Sequence, residues 1–430
     1  FTTIVVLLGI IFTPLLIKLF YGKTDAATVP EAVLLTRIMF PYLLLVSVAA
    51  FFQGILNGVD VFAPSGFAPV VFNVIVIAAT YILAPHMANP ARAMAVGVMA
   101  GGVVQAVFQL PFVLKTEWRV SFASIKKAFT NPGTLKVIAL VLPTIVGMAA
   151  YQVNDLVSST LAKRAGIGIY SSLQYSLRLQ ELILGIFAVS IGSVILPDMS
   201  GLAKKKQWDD YSALLTRAMQ IITLISIPVT FYSLITGREI ISLVYKSHNF
   251  TEESVQMTLT VFRFHMAGLV FIALNRVLAP AYYAQSNTTI PTAAGLVNFG
   301  VNIVLAAVLV RPMSGGGIAL ALSVASCANT VFLFAAMPRT HSVNTKKVLV
   351  PFVVYALKIA VYSIIASIPT YFVRPYVIRL FAGHNRLISD GMPVVLTALV
   401  FAAAGIALLA ATRDPVVQTV AGKFTRRTKK

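Results

Sequence analysis

Apolar residues in this chain run in stretches as long as a bilayer is thick, and they recur nearly from end to end. A helix needs about 20 such residues to cross hydrocarbon. Stretches near 1–20, 33–56, 66–85, 93–114, 137–161, 170–196, 212–235, 256–283, 289–310, 316–337, 350–373 and 390–411 meet that rule, which gives about twelve predicted spans. Turn chemistry separates them, as at Asn89-Pro90, Asn131-Pro132-Gly133 and Ser314-Gly315-Gly316-Gly317. Only 11% of the residues are charged and 58% are hydrophobic. A soluble domain carries about 25% charged residues, so a soluble two-domain protein is excluded.

The net charge of +20 does not point to nucleic acid, because Lys and Arg concentrate between the spans and in the tail, where they set topology and meet anionic lipid. Basic residues favour the even-numbered connections by about 17 to 10, which places that side in the cytoplasm. Those connections hold 115–136, the Lys204-Lys205-Lys206 run, 337–349 and the Arg426-Arg427-Thr428-Lys429-Lys430 tail. With an even number of spans, both ends of the chain are expected in the cytoplasm. Trp118, Val120, Phe122, Ile125 and Phe129 lie among basic residues in 115–136. That segment reads either as an amphipathic surface helix or as a solvated loop. The chain opens at Phe1, already in an apolar run and with no charged leader, which reads as a start within or just before a membrane helix.

Ionisable groups inside spans are costly and therefore functional candidates. The strongest cluster is Tyr175-Ser176-Leu177-Arg178-Leu179-Gln180-Glu181. Arg178 and Glu181 are three apart and share a helix face, so they can neutralise each other. Alternatively, Arg178 faces a polar cavity and grips phosphate oxygens with its planar fork. Arg276, near a span centre and just before Leu278-Ala279-Pro280, is a further candidate for the same cavity, whereas Arg37 and Lys358 lie near span ends and are expected to snorkel. Asp155 follows Asn154 in the fifth span, Asn298 and Asn302 are four apart on the ninth, and Ser323 lies in the tenth. Their oxygens suit a hard cation such as sodium; the plainer reading is interhelical hydrogen bonding.

Enzyme chemistry finds no support. There is no phosphate-binding GxxxxGK[ST] loop, no HExxH and no nucleophile–base pair at a usable spacing. The connections are too short to hold a catalytic domain, the lone Cys327 cannot form an internal disulfide, and the five His residues show no ligand spacing. No metal site beyond the candidate sodium site is expected.

Phe40-Pro41-Tyr42-Leu43-Leu44-Leu45, Gly54-Ile55-Leu56-Asn57, Phe67-Ala68-Pro69 with Asn73, and Gly101-Gly102-Val103-Val104-Gln105 with Gln109-Leu110-Pro111 resemble the MurJ/MviN family of lipid II flippases. So do the stretch from Tyr175 through Arg178, Glu181, Gly185 and Gly192 to Leu196-Pro197, and Val277-Leu278-Ala279-Pro280 with Tyr283 and Pro291. The resemblance implies an all-α polytopic membrane protein of the multidrug/oligosaccharidyl-lipid/polysaccharide exporter superfamily, with two lobes around a central cavity and two extra C-terminal helices that help form a lipid-tail groove. It divides this chain into a truncated N-terminal lobe of four helices (1–115), a basic cytoplasmic linker (116–136), a C-terminal lobe of six helices (137–337), two additional helices (338–412) and a basic cytoplasmic tail (413–430). The match begins at the family's third helix. Of the family's cavity arginines, Arg178 carries over; Glu181 matches an acidic position nearby, and Asp155, Asn298, Asn302 and Ser323 fall near the family's sodium-site positions.

The function implied is alternating-access flipping of lipid II across the bacterial inner membrane, with Arg178 on the pyrophosphate, the prenyl tail in lipid, and membrane potential or sodium as the driving force. The partners implied are lipid II, membrane lipid and the cell-wall synthesis machinery. The alternatives are an exporter of another polyprenyl-linked saccharide or of drugs, and a non-transporting membrane scaffold.

Overall fold

The computed structural model describes residues 2–21, 28–116, 130–340 and 343–414, together with Ser124 and Val416. Among the described residues the regular structure is helical, without strands: α1 (Thr2–Tyr21), α2 (Val29–Met39), α3 (Tyr42–Gly58), α4 (Ala63–Leu83), α5 (Pro90–Leu114), α6 (Pro132–Ala165), α7 (Ile169–Lys204), α8 (Trp208–Tyr245), α9 (Glu252–Ala284), α10 (Thr289–Ala336), α11 (Thr345–Leu380) and α12 (Arg386–Ala411). In hydrocarbon every backbone donor and acceptor must be satisfied within the protein, and a helix does this within one segment. Eight of the described helical stretches are long and apolar enough to cross a membrane, and Thr2–Lys18 is a shorter apolar helix. The chain is a multi-pass, all-α membrane protein.

Local sequence sets several helix starts. Asn89, Asn344 and Asn385 sit in extended backbone and accept from Ala91, from Lys346 and Lys347, and from Ile388, meeting amide donors that the first turn leaves free. Several buried Thr and Ser hydroxyls bond back one turn, as Thr13 to Gly9 O at 2.6 Å and Thr370 to Ala366 O at 2.9 Å, which satisfies them within an apolar helix.

Three of the expected spans are organised differently from a plain helix each. The 33–56 stretch is divided between α2 and α3 at Pro41, which lacks an amide donor and so interrupts the hydrogen-bond ladder, although Phe40 and Pro41 both keep helical backbone angles. The 289–310 and 316–337 stretches share α10, which is interrupted at Ser314 (φ 50°, ψ −130°). A Cβ on Gly317 would collide with the Leu309 carbonyl, so the chain turns sharply there and Gly317 must lack a side chain. The amphipathic reading of 115–136 rests on 117–123 and 125–129, which lie outside the described residues, as does the tail beyond Val416.

The chain forms two compact units, Phe1–Val137 and Ile138–Lys430. In the first, α5 packs against α2, α3 and α4. Its buried residues are mostly Gly and Ala. A Cβ on Gly97 would come within 3.1 Å of Val76 O, and one on Gly101 within 3.1 Å of Phe72 O, so α4 approaches backbone to backbone. Glu31 of α2 takes a two-pronged bond from Arg92 of α5, both arms at 2.7 Å, and Gln109 of α5 donates to Ala49 O of α3 at 3.3 Å. Arg37 does not simply snorkel; its Nε donates to Ile10 O of α1 at 3.2 Å.

In the second unit α9 is the central post, packed by α7, α8 and α10. Phe262, Met266, Leu269 and Leu278 on it are completely buried. The α11–α12 pair packs on α8. Arg374 of α11 meets the buried Glu239 of α8 at 2.7 Å, and Ser242 of α8 donates to Asp390 of α12 at 2.8 Å. Lys358, expected to snorkel, instead reaches the buried Asp414 at 2.7 Å, because a carboxylate within reach satisfies the ammonium better than a stretch to the interface.

Candidate functional site

A cavity of about 300 Å³ opens within the second unit, lined by residues of α6, α7, α9 and α10. Gln152, Asn154, Asp155 and Ser158 come from α6; Gln174, Arg178 and Glu181 come from α7. The α7 residues lie at i, i+4 and i+7 and therefore share one helical stripe. Arg178 Nη1 donates to Glu181 Oε2 at 3.0 Å, yet the two side chains remain 72% and 53% exposed. The carboxylate takes one donor of a five-donor fork, and both residues line the cavity.

Asp155 is exposed on α6 and lines the same cavity, next to the buried Asn154. Asn302 of α10 donates through Nδ2 to Asn154 Oδ1 at 2.7 Å and to Ser158 Oγ at 3.2 Å, so it joins the cavity wall from behind. Its own Oδ1 is buried and accepts no hydrogen bond. Asn298, one turn earlier on α10, is half-buried and does not line the cavity; nor does Ser323, whose hydroxyl donates to Phe264 O at 2.6 Å. Arg276 is exposed on α9 and is not among the lining residues. The structure thus gathers Asp155, Arg178 and Glu181 around one space, adds Asn302 through Asn154, and leaves Arg276, Asn298 and Ser323 elsewhere. One arginine stands against two carboxylates, so the lining of this cavity is not cationic as a whole.

His265 joins the site although it is not among the candidates that the sequence singles out. It lines the cavity from α9, is buried, and sits with Nδ1 2.6 Å from Ser176 Oγ. Gln180 Nε2 donates to the His265 carbonyl at 2.6 Å. A usable signal was present: Ser176 and Gln180 are polar residues four apart in an apolar helix, and such residues in a bilayer need partners.

The lipid II flippase MurJ family model matches residues 1–389. The probable lipid II flippase MurJ of Treponema pallidum is 45% identical over 413 residues, which cover 96% of this chain and 78% of that relative. The corresponding Vibrio cholerae protein is 31% identical over 341 residues, covering 77% of this chain and 64% of the relative. Among solved structures, a lipid II flippase MurJ in an inward closed conformation superposes with a TM-score of 0.76 at 22% identity, covering 96% of this chain and 81% of that one. An inward-facing multidrug resistance MATE family transporter of the MOP superfamily does so at 0.66 and 14% identity, over 81% and 79% of the two chains. The structural likenesses show a shared transporter fold, and the extent of the sequence match decides the rest: the chain belongs to the lipid II flippase MurJ family.

Proposed function

We propose that this protein moves lipid II across the bacterial inner membrane and does no covalent chemistry on it. The observation that carries the reading is an exposed guanidinium, Arg178, held inside a polar cavity of an otherwise apolar chain. A pyrophosphate-linked sugar head group cannot cross hydrocarbon unaided, because burying its charge without partners is prohibitive. Arg178 offers two parallel N–H donors to phosphate oxygens while Glu181 braces it from one turn away. The cavity then opens to each side of the membrane in turn. The prenyl tail stays in lipid and lies along the apolar groove of about 370 Å³ between α8 and α11, lined by Phe231, Leu234, Ile368 and Phe372. Both ends of the chain face the cytoplasm, and the cell-wall synthesis machinery draws on the product.

Sodium is the proposed coupling ion. The orphaned Asn302 Oδ1 is an oxygen that a hard cation would satisfy, and the Asp155 carboxylate beside Asn154 supplies charge. A bound cation would also offset the surplus carboxylate of the lining. Membrane potential can add to the drive, at about 2.3 kcal/mol per charge per 100 mV.

The test places the protein in cells depleted of their own flippase and adds, from outside, an enzyme that cleaves lipid II. Wild type should expose lipid II. Arg178→Ala at equal membrane level should expose about tenfold less or lower still, the equivalent of one charged hydrogen bond of roughly 1.5–3 kcal/mol. Equal exposure would remove Arg178 from the mechanism. No exposure by wild type would favour an exporter of another saccharide lipid or of drugs, or a scaffold. Replacing external sodium by choline should lower wild-type exposure and leave Asn302→Ala unaffected.

A further inference from the structure

Three successive carbonyls of α9 each accept a side-chain hydrogen bond from a different helix. Phe264 O accepts from Ser323 of α10 at 2.6 Å, His265 O from Gln180 of α7 at 2.6 Å, and Met266 O from Thr230 of α8 at 3.3 Å. Successive carbonyls on a helix point about 100° apart around its axis, so one turn of α9 can engage neighbours on three sides. The α10 contact is also steric, since a Cβ on Gly268 would collide with the Ser323 backbone. At this level α9 is a fixed post against which the other helices take their register.

The grip on α7 is double. Gln180 holds the His265 carbonyl, and Ser176 pairs with the His265 ring at 2.6 Å. Ser176, Gln180 and His265 are all essentially inaccessible. Ser172, Ser176 and Gln180 form one buried stripe of α7, whereas Gln174, Arg178 and Glu181 form the stripe that faces the cavity. At about 100° per residue, the two stripes lie on opposite sides of the helix. Fixing the first therefore fixes where the second points.

We infer that His265 is a positioning residue: through Ser176 and Gln180 it locks the rotation of α7 about its own axis and so presents Arg178 to the cavity. The inference rests on the reading of Arg178 as the residue that grips the substrate, but the rotation itself can be measured without transport. An apolar helix sliding on apolar neighbours has little to oppose rotation, because lipid is as apolar as the packing surface. Directional bonds from one stripe supply that opposition, and an imidazole can meet the hydroxyl as donor or acceptor according to tautomer.

The experiment uses the full chain with Cys327→Ala, which removes its single thiol. Reporter cysteines are then placed one at a time at Gln174, on the cavity stripe, and at Ser172, on the buried stripe. A charged, membrane-impermeant methanethiosulfonate should label the first quickly and the second slowly. Adding His265→Ala, Ser176→Ala or Gln180→Ala should lower this contrast by about threefold for each bond removed, the factor expected for an ordinary hydrogen bond between membrane helices. His265→Gln and Ser176→Thr keep a polar partner and should restore it. Thr330→Ala removes bonds between α10 and α9 without touching α7 and should leave the contrast intact. Unchanged contrast in both His265→Ala and Ser176→Ala, at equal membrane level, overturns the proposal, as does an equal loss in Thr330→Ala. Lost contrast with lower lipid II exposure supports it. Lost contrast with wild-type exposure keeps the lock and sinks the reading of Arg178 as the grip.

Discussion

The central helices of the two units, α5 and α9, solve the same problem in opposite ways. The buried face of α5 is largely Ala and Gly, and α4 comes close enough that a single added methyl would touch its carbonyls. The buried face of α9 carries Phe262, His265, Met266, Leu269 and Tyr282, and its neighbours reach in with polar side chains to its carbonyls. Between membrane helices there is no gain from removing apolar surface from water, so contact area and hydrogen bonds do the work. Small residues give area by letting backbones approach, but they leave rotation weakly specified. Side chains that grip a carbonyl fix rotation; α5 makes one such contact, from Gln109 to Ala49 O, whereas one turn of α9 receives three, and the described polar cavity lies in the unit of α9.

The comparison breaks most visibly at charge. Arg374→Ala in the second unit strands Glu239, whose side chain is 4% exposed, without its partner. It should cost about 3–5 kcal/mol, as breaking a buried pair does, read as a lower thermal midpoint in detergent. The double change Arg374→Met with Glu239→Leu should recover most of that loss; failure to recover would show the pair to be more than mutual compensation.

A smaller effect is expected from filling the glycine contacts. Gly101→Val and Gly268→Val should each cost roughly 1–3 kcal/mol as overpacking, with Gly268→Val the worse because it meets the Ser323 backbone. Gly102→Ala meets the Tyr42 ring, which can turn aside, and should be milder than either. If Gly102→Ala proves as harmful as Gly101→Val in the same unfolding assay, α5 is not packed by backbone approach as described.

Next is the polar network farther along α9, between two and three turns beyond the carbonyl hub. Asn275 donates to Ser326 O at 3.1 Å and accepts from Thr330 at 2.9 Å. Asn275→Ala should cost about 0.6–1.7 kcal/mol, the range for hydrogen bonds between membrane helices. The smallest change is expected in the first unit. Arg92→Ala removes a partner from the half-exposed Glu31, and water can take its place. A midpoint shift as large as that of Arg374→Ala would erase the contrast between the units.

Much of this architecture was readable in advance. Length and apolarity alone decided the helices, since a bilayer admits few other backbones. Pro41 carried a warning that the helix ladder is interrupted within one span, because a missing donor acts locally. At the site, Arg178 and Glu181 were legible because their spacing places them on one face whatever surrounds the helix. The grouping of Asn302 with Asn154 and Ser158 depends on residues about 150 positions apart in sequence, and no local rule pairs them. Arg276 sits as near a span centre as Arg178 and carries the same charge; only the packing of α9 turns it away from the cavity.

The sequence by itself determined that this protein is a multi-pass helical membrane protein of a recognisable transporter family, because hydrophobic length and motif order are properties of a linear chain. Tertiary structure alone decided which polar residues share a space. It made His265 the partner of Ser176 and Gln180, set Lys358 against Asp414, and left Ser323 bonded to a backbone carbonyl. The physical reason is that a buried hydrogen bond requires both atoms within about 3 Å, and only the packing of helices distant in sequence brings them that close.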